Sequence, residues 1–198
     1  MRRNWYPSAA VGAAFMLVLA SFASAPPSSH PAASPYDGAP ARVRIDISER
    51  RLYLEENGVV TRSWPVTVGT KAHPTPQGSF GVRRMIWNPR WVPPDSEWAR
   101  NEKPRDPGDP KNPMGRVKIF FREPAYYIHG TLDGGSMGRA ASHGCVRMRN
   151  RDVIELARLL LHHGGTPVEP GLIRRLINNV RHTREVRLSR AIPVRIEA

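Results

Sequence analysis

From residue 43 onward, apolar and polar residues alternate in short runs, which is the period of a β-strand with one buried face. Val43, Ile45 and Ile47 alternate with charged or polar neighbours, and Asn57-Gly58 stands between two such runs, where it predicts a hairpin turn. This pattern predicts a mostly β domain. The predicted strands lie within residues 43–68, 78–85, 117–121, 125–128 and 184–196.

Helical spacing begins only after residue 150. Five apolar residues between 153 and 161 fall on one helical face, Asn150 or Asp152 can cap the start, and Gly164-Gly165 ends the run. A second short helix is predicted over 172–178. The fold is therefore expected to contain one or two helices beside its strands.

The first 41 residues have a different character. Arg2 and Arg3 precede an apolar stretch over 9–23 that ends in Ala23-Ser24-Ala25, the pattern of a secretory leader. We interpret residues 1–25 as a signal peptide or N-terminal anchor, 26–41 as a Pro/Ser/Ala-rich linker, and 42–198 as one folded domain. The protein is expected to be secreted across the cytoplasmic membrane to the periplasm or cell wall. There it is either released or held to the membrane by an uncleaved leader.

Charge and composition restrict the possible classes of protein and of binding partner. The 198 residues include 30 Lys+Arg and 17 Asp+Glu, for a net charge of +13, and 40% of the residues are hydrophobic, enough for a core. The basic residues are scattered and no nucleic-acid motif accompanies them, so a solvated basic surface is favoured over a nucleic-acid site. No nucleic-acid partner is expected, and the protein is predicted to be a monomer.

A long segment rich in Pro, Asp and Lys, residues 88–114, interrupts the strand pattern. Excursions of this length usually serve a function, and we expect this one to cover part of a cleft. Trp87 and Trp91 either form a wall facing a glycan or pin the excursion to the core.

The chain contains a single cysteine, Cys145, within Ser142-His143-Gly144-Cys145. It cannot form an internal disulfide, and beside imidazole a thiol can become the thiolate that attacks carbonyl carbons. His129 and His143 are the nearest histidines in the sequence. The arginines that follow Cys145 predict an electropositive setting that lowers its pKa. A buried structural thiol is the alternative.

Several ordered motifs resemble the L,D-transpeptidase (YkuD-type) catalytic domain. They are His129-Gly130-Thr131, then Ser142-His143-Gly144-Cys145 followed by Arg147, together with Thr75-Pro76-Gln77-Gly78-Ser79-Phe80 and Asn112-Pro113-Met114-Gly115. The resemblance covers about residues 42–198. It implies a YkuD-like β-sandwich and a cysteine acyltransferase that acts on peptidoglycan stem peptides, as donor and acceptor, in cell-wall crosslinking or remodelling. It implies neither a cofactor nor a metal.

The resemblance also assigns roles. Cys145 is the nucleophile and His129 the general base, with the main-chain carbonyl of Gly130 orienting its ring. His143 shapes the site, and the amides of Gly144 and Cys145 are candidates for an oxyanion hole. The expected substrate-binding residues are Arg147, Ser142 and Tyr127, although a structural ion pair is an equal alternative for Arg147.

Other functions stay open at this point. His129, His143 and Cys145 are zinc-type ligands, although His-x-Cys is not a usual zinc spacing. A third hypothesis is a module that binds the cell wall without catalysing a reaction. Within the enzyme reading, the acyl group can pass to another stem peptide, an outer-membrane lipoprotein lysine, a D-amino acid or water, and water would make the protein an L,D-carboxypeptidase.

Overall fold

The computed structural model describes Met1, residues 39–169 and residues 171–198. The predicted leader and nearly all of the predicted linker lie outside this part. The strands are β1 (Ala41–Asp46), β2 (Arg51–Glu56), β3 (Val59–Pro65), β4 (Val68–Gly69), β5 (Gly78–Trp87), β6 (Val117–Arg122), β7 (Tyr126–Thr131), β8 (Ala140–Ser142), β9 (Val146–Arg149) and β10 (Arg184–Glu197). The helices are α1 (Asn150–His163) and α2 (Leu172–Asn178).

Within these residues, one sheet of eight strands runs in the order β3-β2-β1-β10-β5-β6-β7-β9, and β4 pairs with β8 in a small second sheet. Pairing is parallel for β1–β10, β7–β9 and β4–β8. Val43 near one end of the strand order and Met148 at the other belong to the same buried cluster. The sheet therefore curls around a single core, and the prediction of a mostly β fold with two helices is confirmed.

The alternation of apolar and polar residues in the sequence corresponds to an alternation of buried and more exposed side chains in the strands. Val43 and Ile45 of β1 are fully buried while Arg44 between them is half-buried. The predicted hairpin is present, because Asn57 and Gly58 both have positive φ, 50° and 81°, as the tight turn between β2 and β3 requires. The run over 43–68, predicted to form strands, contains β1 to β4.

Helix α1 buries an apolar stripe against β6, β7, β9 and β10. Val153, Leu156, Ala157 and Leu160 are fully buried, and each large side chain in such a position contributes about 1.5–3 kcal/mol relative to exposure. Helix α1 starts directly after β9 and so holds the end of the sheet that carries the cysteine turn.

The excursion over 88–114 is ordered by two buried asparagines. Asn88 donates to the carbonyls of Leu176, Asn179 and His182 at 2.9–3.0 Å, which ties the start of the excursion to α2 and the turn after it. Asn112 donates to the carbonyl of Pro89 at 2.9 Å. The excursion is therefore anchored to the fold at both ends. Among the described residues, no helix is long and apolar enough to cross a membrane.

Candidate active site

Cys145 lies in the turn between β8 and β9, and Ser142 shapes that turn. The Ser142 hydroxyl donates to the carbonyl of Cys145 at 2.5 Å and accepts from the amide of Gly144 at 3.1 Å. Ser142 itself is buried. The hydroxyl predicted to bind substrate is thus occupied within the turn, and its contacts fix the backbone around Cys145.

Position 144 requires glycine because of its backbone conformation and because there is no space for a side chain. Its φ is +101°, and a Cβ there would lie 2.9 Å from Cε1 of Tyr126 and 3.2 Å from the carbonyl oxygen of Pro74. Because its amide donates to Ser142, the Cys145 amide remains as the candidate for an oxyanion hole.

His129 is buried at the centre of β7. Its Nδ1 lies 2.7 Å from the carbonyl oxygen of Gly130. A carbonyl can only accept, so Nδ1 carries the proton and Nε2 carries the lone pair. The predicted orienting contact is therefore present, and it selects the tautomer that a general base needs.

The sheet register places a cation on each side of His129. Lys118 of β6 and Arg147 of β9 are its direct partners across the two neighbouring strand pairs. The pKa of His129 is lowered to about 3. Burial is the largest cause, and the positive charges of Arg147 and Lys118 act in the same direction. The imidazole is therefore neutral at neutral pH.

The contacts of the Cys145 sulfur differ from the expectation. In the described structure its hydrogen-bond partner is the carbonyl of Ala125, at 3.5 Å, and the amide and hydroxyl of Tyr127 lie near the sulfur. His129 is not among them. Burial raises the pKa of the Cys145 thiol, outweighing the opposite effects of Tyr127, Lys118 and Arg147. The prediction of a lowered pKa is wrong in this state, because desolvation of the sulfur exceeds the effect of nearby positive charge.

Arg147 has its backbone fixed and its side chain available. Its amide and carbonyl both pair with Thr67 at 2.9 Å. Ion pairs between residues of the described part involve other arginines, such as Arg42, Arg84 and Arg175, and not Arg147. The structural ion pair considered for Arg147 is therefore absent from this part of the chain, and its guanidinium lines the cavity beside the cysteine.

The ring of His143 lies in an aromatic stack. The indole of Trp98 stacks on its ring with centroids 4.2 Å apart and planes 12° apart, and His73 packs at 4.9 Å. Trp98 belongs to a short 3₁₀ turn of the excursion, Glu97–Ala99. His143 thus joins the cysteine turn to the wall opposite it.

A cavity of about 560 Å³ opens above these residues. One side is formed by β6, β7 and the cysteine turn, with Lys118, Tyr127, His129 and Cys145, and the other by residues of the excursion such as Trp98. This is the cleft that the sequence predicted the excursion to cover. Trp87 and Trp91 are both buried, which fits indoles that pin the excursion to the core, and Trp91 also lines the cavity.

Sequence reasoning missed Lys118 and Trp98. Lys118 is an ordinary polar position in the alternation of β6, and only the register with β7 places it beside His129. Trp98 gives no signal within the excursion except that it is an aromatic residue. No three His, Cys, Asp or Glu side chains among the residues described are grouped for a metal ion, so His129, His143 and Cys145 do not form a zinc site here.

The chain is similar in sequence to known proteins. A family model described as the YkuD L,D-transpeptidase catalytic domain matches residues 40–169. The YkuD protein of Bacillus licheniformis, assigned to the L,D-transpeptidases, is 32% identical over 124 residues, 63% of this chain and 62% of that one. A protein of Fuscovulum blasticum with the same assignment is 35% identical over 124 residues, 62% of this chain and 65% of that one. The matches thus span less than two thirds of the length of these relatives.

The fold is shared with solved structures. The catalytic domain of an L,D-transpeptidase from E. faecium superposes with a TM-score of 0.51 at 16% identity, covering 80% of this chain and 98% of that one. L,D-transpeptidase 3 from Mycobacterium tuberculosis, solved with a faropenem-derived adduct, gives 0.50 at 15% identity, with 80% and 60% covered.

Proposed function

Because the chain belongs to the YkuD L,D-transpeptidase catalytic-domain family, we propose that it is a cysteine acyltransferase that acts on peptidoglycan stem peptides through a thioester. One observation carries the proposal. A solitary thiol on a fixed turn shares a cavity with a buried, neutral histidine whose Nδ1 proton is held by the Gly130 carbonyl. A nucleophile, a base and a third group that orients the base are the parts of an activated nucleophile.

The acylation step uses these parts in order. The Cys145 sulfur gives its proton to Nε2 of His129 and attacks the carbonyl carbon of the donor peptide bond. The carbonyl oxygen becomes an oxyanion, for which the Cys145 amide is the donor. When the bond to the leaving amine breaks, His129 returns the proton to that amine, and the acyl group remains on sulfur.

Contact between sulfur and His129 requires a movement of the thiol. The sulfur rests against Ala125 and Tyr127, and rotation about its Cα–Cβ bond changes its partner without moving the turn. Catalytic hydrogen bonds commonly tighten only when substrate is bound. The fixed turn and the buried base then bring the reacting groups together in the filled cavity.

In the second half of the reaction, an acceptor attacks the thioester carbonyl carbon and the Cys145 thiolate leaves. The side-chain amine of a second stem peptide gives a crosslink. A lipoprotein lysine, a D-amino acid and water are the other acceptors that this chemistry allows. The proposed place of action is outside the cytoplasmic membrane, which rests on the leader pattern over 1–25.

The direct test is a purified protein incubated with a disaccharide-tetrapeptide donor, followed by mass spectrometry of protein and products. We expect an acyl adduct on Cys145 and transfer products, and neither with Cys145→Ala, which should fold normally. Turnover by the folded alanine variant would exclude the covalent mechanism. His129→Ala should slow acylation by about 10²–10⁴-fold, the range for loss of a general base.

A strained lactam offers a second, independent probe of the same thiol. One solved L,D-transpeptidase carries a faropenem-derived adduct. We expect a penem or carbapenem to acylate Cys145 of this chain, with the lactam C–N bond opening and the nitrogen taking a proton. Intact mass should rise by one lactam per protein, and absence of any adduct after long incubation would count against a competent nucleophile.

A further inference from the structure

Three side chains that the reaction above does not use form a cluster beside the nucleophile. The hydroxyl of Tyr127 lies near the Cys145 sulfur, and both residues line the same cavity. The ammonium of Lys118 lies 3.9 Å from the centroid of the Tyr127 ring. Phe120 packs against the same tyrosine, with ring centroids 5.6 Å apart. The cluster reaches from β6 across β7 to the cysteine turn.

The sheet register fixes this arrangement. Lys118 pairs with His129 and Phe120 pairs with Tyr127 across the β6–β7 ladder. Tyr127 and His129 are two residues apart on one strand, so both face the cavity. The Tyr127 ring lies edge-on to His129, with centroids 5.5 Å apart. Tyr127 is therefore packed between a cation, an imidazole and a thiol.

The resting site lacks a positive imidazole. His129 is buried between Lys118 and Arg147, and a third positive charge in that row is strongly opposed. A thiolate–imidazolium pair, the usual way to hold a cysteine ionised, is therefore not available here at rest. Negative charge on the sulfur needs a different donor and a different cation.

We propose that Tyr127 and Lys118 supply them: the Tyr127 hydroxyl donates a hydrogen bond to the Cys145 sulfur, and Lys118 provides the neighbouring positive charge that stabilises the thiolate. The proposal deepens the acyltransferase function and rests on it. Burial raises the pKa of Tyr127 well above its ordinary range, so the phenol stays a donor. In this role Tyr127 contacts the reacting atom and is a catalytic residue, whereas Lys118 acts across the Tyr127 ring and is a positioning residue.

The same pair serves both halves of the reaction. In acylation it favours loss of the sulfur proton, and in deacylation it receives the departing thiolate. Other charged or titratable groups, including Tyr126, line the same cavity. His129 comes from β7 and Arg147 from β9, His143 lies on the cysteine turn, and Glu102 and Lys111 lie on the opposite wall. All of these stay unchanged in the variants below.

The test measures how alkylation of Cys145 depends on pH in the full-length protein, and it requires no turnover. With iodoacetamide, the thiolate sulfur forms a bond to carbon, the C–I bond breaks and iodide leaves, so the rate follows the thiolate fraction. Tyr127→Phe keeps the ring and removes only the hydroxyl, and Lys118→Met removes only the charge. For each variant we expect the midpoint of the curve of alkylation rate against pH to move about one unit higher. At a pH below the midpoint, alkylation should then be about tenfold slower than in the parent.

Two controls separate this role from packing. Lys118→Arg keeps a permanent charge and should keep the parental midpoint, and Lys103→Met, an exposed lysine outside the cavity, should do the same. Thermal unfolding of every variant reports packing separately. The proposal fails if either Tyr127→Phe or Lys118→Met retains the parental midpoint. A shifted midpoint in a protein that transfers no acyl group would support the proposal while overturning the acyltransferase function.

Discussion

The carbonyl of Gly130 that holds Nδ1 of His129 belongs to a residue with no room for a side chain. A Cβ at Gly130 would lie 2.2 Å from Oδ1 of Asn150 and 2.9 Å from the amide nitrogen of Arg116. Asn150 accepts a hydrogen bond from that same amide at 2.9 Å. The orientation of the base is therefore tied to the first residue of α1 and to the end of the 88–114 excursion.

Gly130→Ala should consequently damage both stability and rate. Overpacking of this kind costs about 1–3 kcal/mol, and a shift of the carbonyl by a fraction of an ångström misplaces the imidazole. We expect the unfolding free energy to fall by that amount and acylation to slow by up to about 10²-fold. Denaturant unfolding and acylation by a penem measure the two effects.

Gly134→Ala is the matched control, because nothing lies within 4 Å of a Cβ at Gly134. It should leave both quantities close to their parental values. A Gly130→Ala protein with parental stability and rate would show that the close contact with Asn150 relaxes at no cost.

The neutral state of His129 predicts how stability depends on pH. Its pKa is about 3 when folded and about 6.5 when unfolded, so between these values the unfolded chain binds the extra proton. Stability therefore rises with pH through this window and is lost as pH falls from about 6.5 toward 3. His129→Gln removes the titrating group, and the variant should show a shallower fall in unfolding free energy between pH 6.5 and 4.

Unfolding of both proteins in urea at several pH values tests this difference, and other acid-sensitive groups cancel because both proteins contain them. Equal slopes for parent and variant would mean that His129 is protonated in the folded state as readily as in the unfolded chain.

The stack of Trp98 on His143 predicts access to the thiol. Aromatic pairs of this kind contribute about 0.5–1.5 kcal/mol, so Trp98→Ala should raise the population of open cleft by up to about tenfold. A bulky maleimide should then label Cys145 faster, whereas small iodoacetamide should gain little. Val92→Ala, at an exposed residue that also lines the cavity, should leave both rates unchanged. Equal labelling of the Trp98→Ala protein and the parent would show that the stack does not control entry.

Local patterns in the sequence predicted most of the strands, both helices and a candidate nucleophile. The helix over 172–178 and the hairpin at Asn57-Gly58 occur where periodicity and turn chemistry predicted them. Cys145, His129 and the Gly130 carbonyl follow from a short motif that spans β7 and the turn before β9. These features depend on neighbours in sequence or on a motif that keeps its spacing.

The remaining features depend on contacts between distant segments. Lys118 becomes part of the site only through pairing of β6 with β7, and no alternation pattern specifies a partner strand. The order of the 88–114 excursion comes from side chain–backbone bonds of Asn88 and Asn112, which residue type alone does not predict. The direction of the Cys145 pKa shift required the depth of its burial, a property of the whole fold.

Arg147 yields the last prediction, because its guanidinium lines the cavity without an acidic partner among the described residues. We expect it to bind a carboxylate of the donor peptide in a fork of two hydrogen bonds. Loss of a charged hydrogen bond costs about 1.5–3 kcal/mol, so Arg147→Ala should lower kcat/KM by about 10–100-fold, mainly through KM. Arg147→Lys should recover only part, because an ammonium lacks the planar fork.

Arg147 also lowers the pKa of Cys145, so the same loss of rate has a second explanation that must be separated. A donor whose carboxylates are amidated has nothing for the guanidinium to bind. If Arg147 binds carboxylate, Arg147→Ala should lose far less rate on the amidated donor than on the free acid. If it acts through the thiol, the loss should be equal on both donors and should diminish at high pH. Arg139→Ala, at an exposed arginine near the turn and outside the cavity lining, should behave like the parent with either donor, and an equal loss on both donors would exclude the carboxylate role.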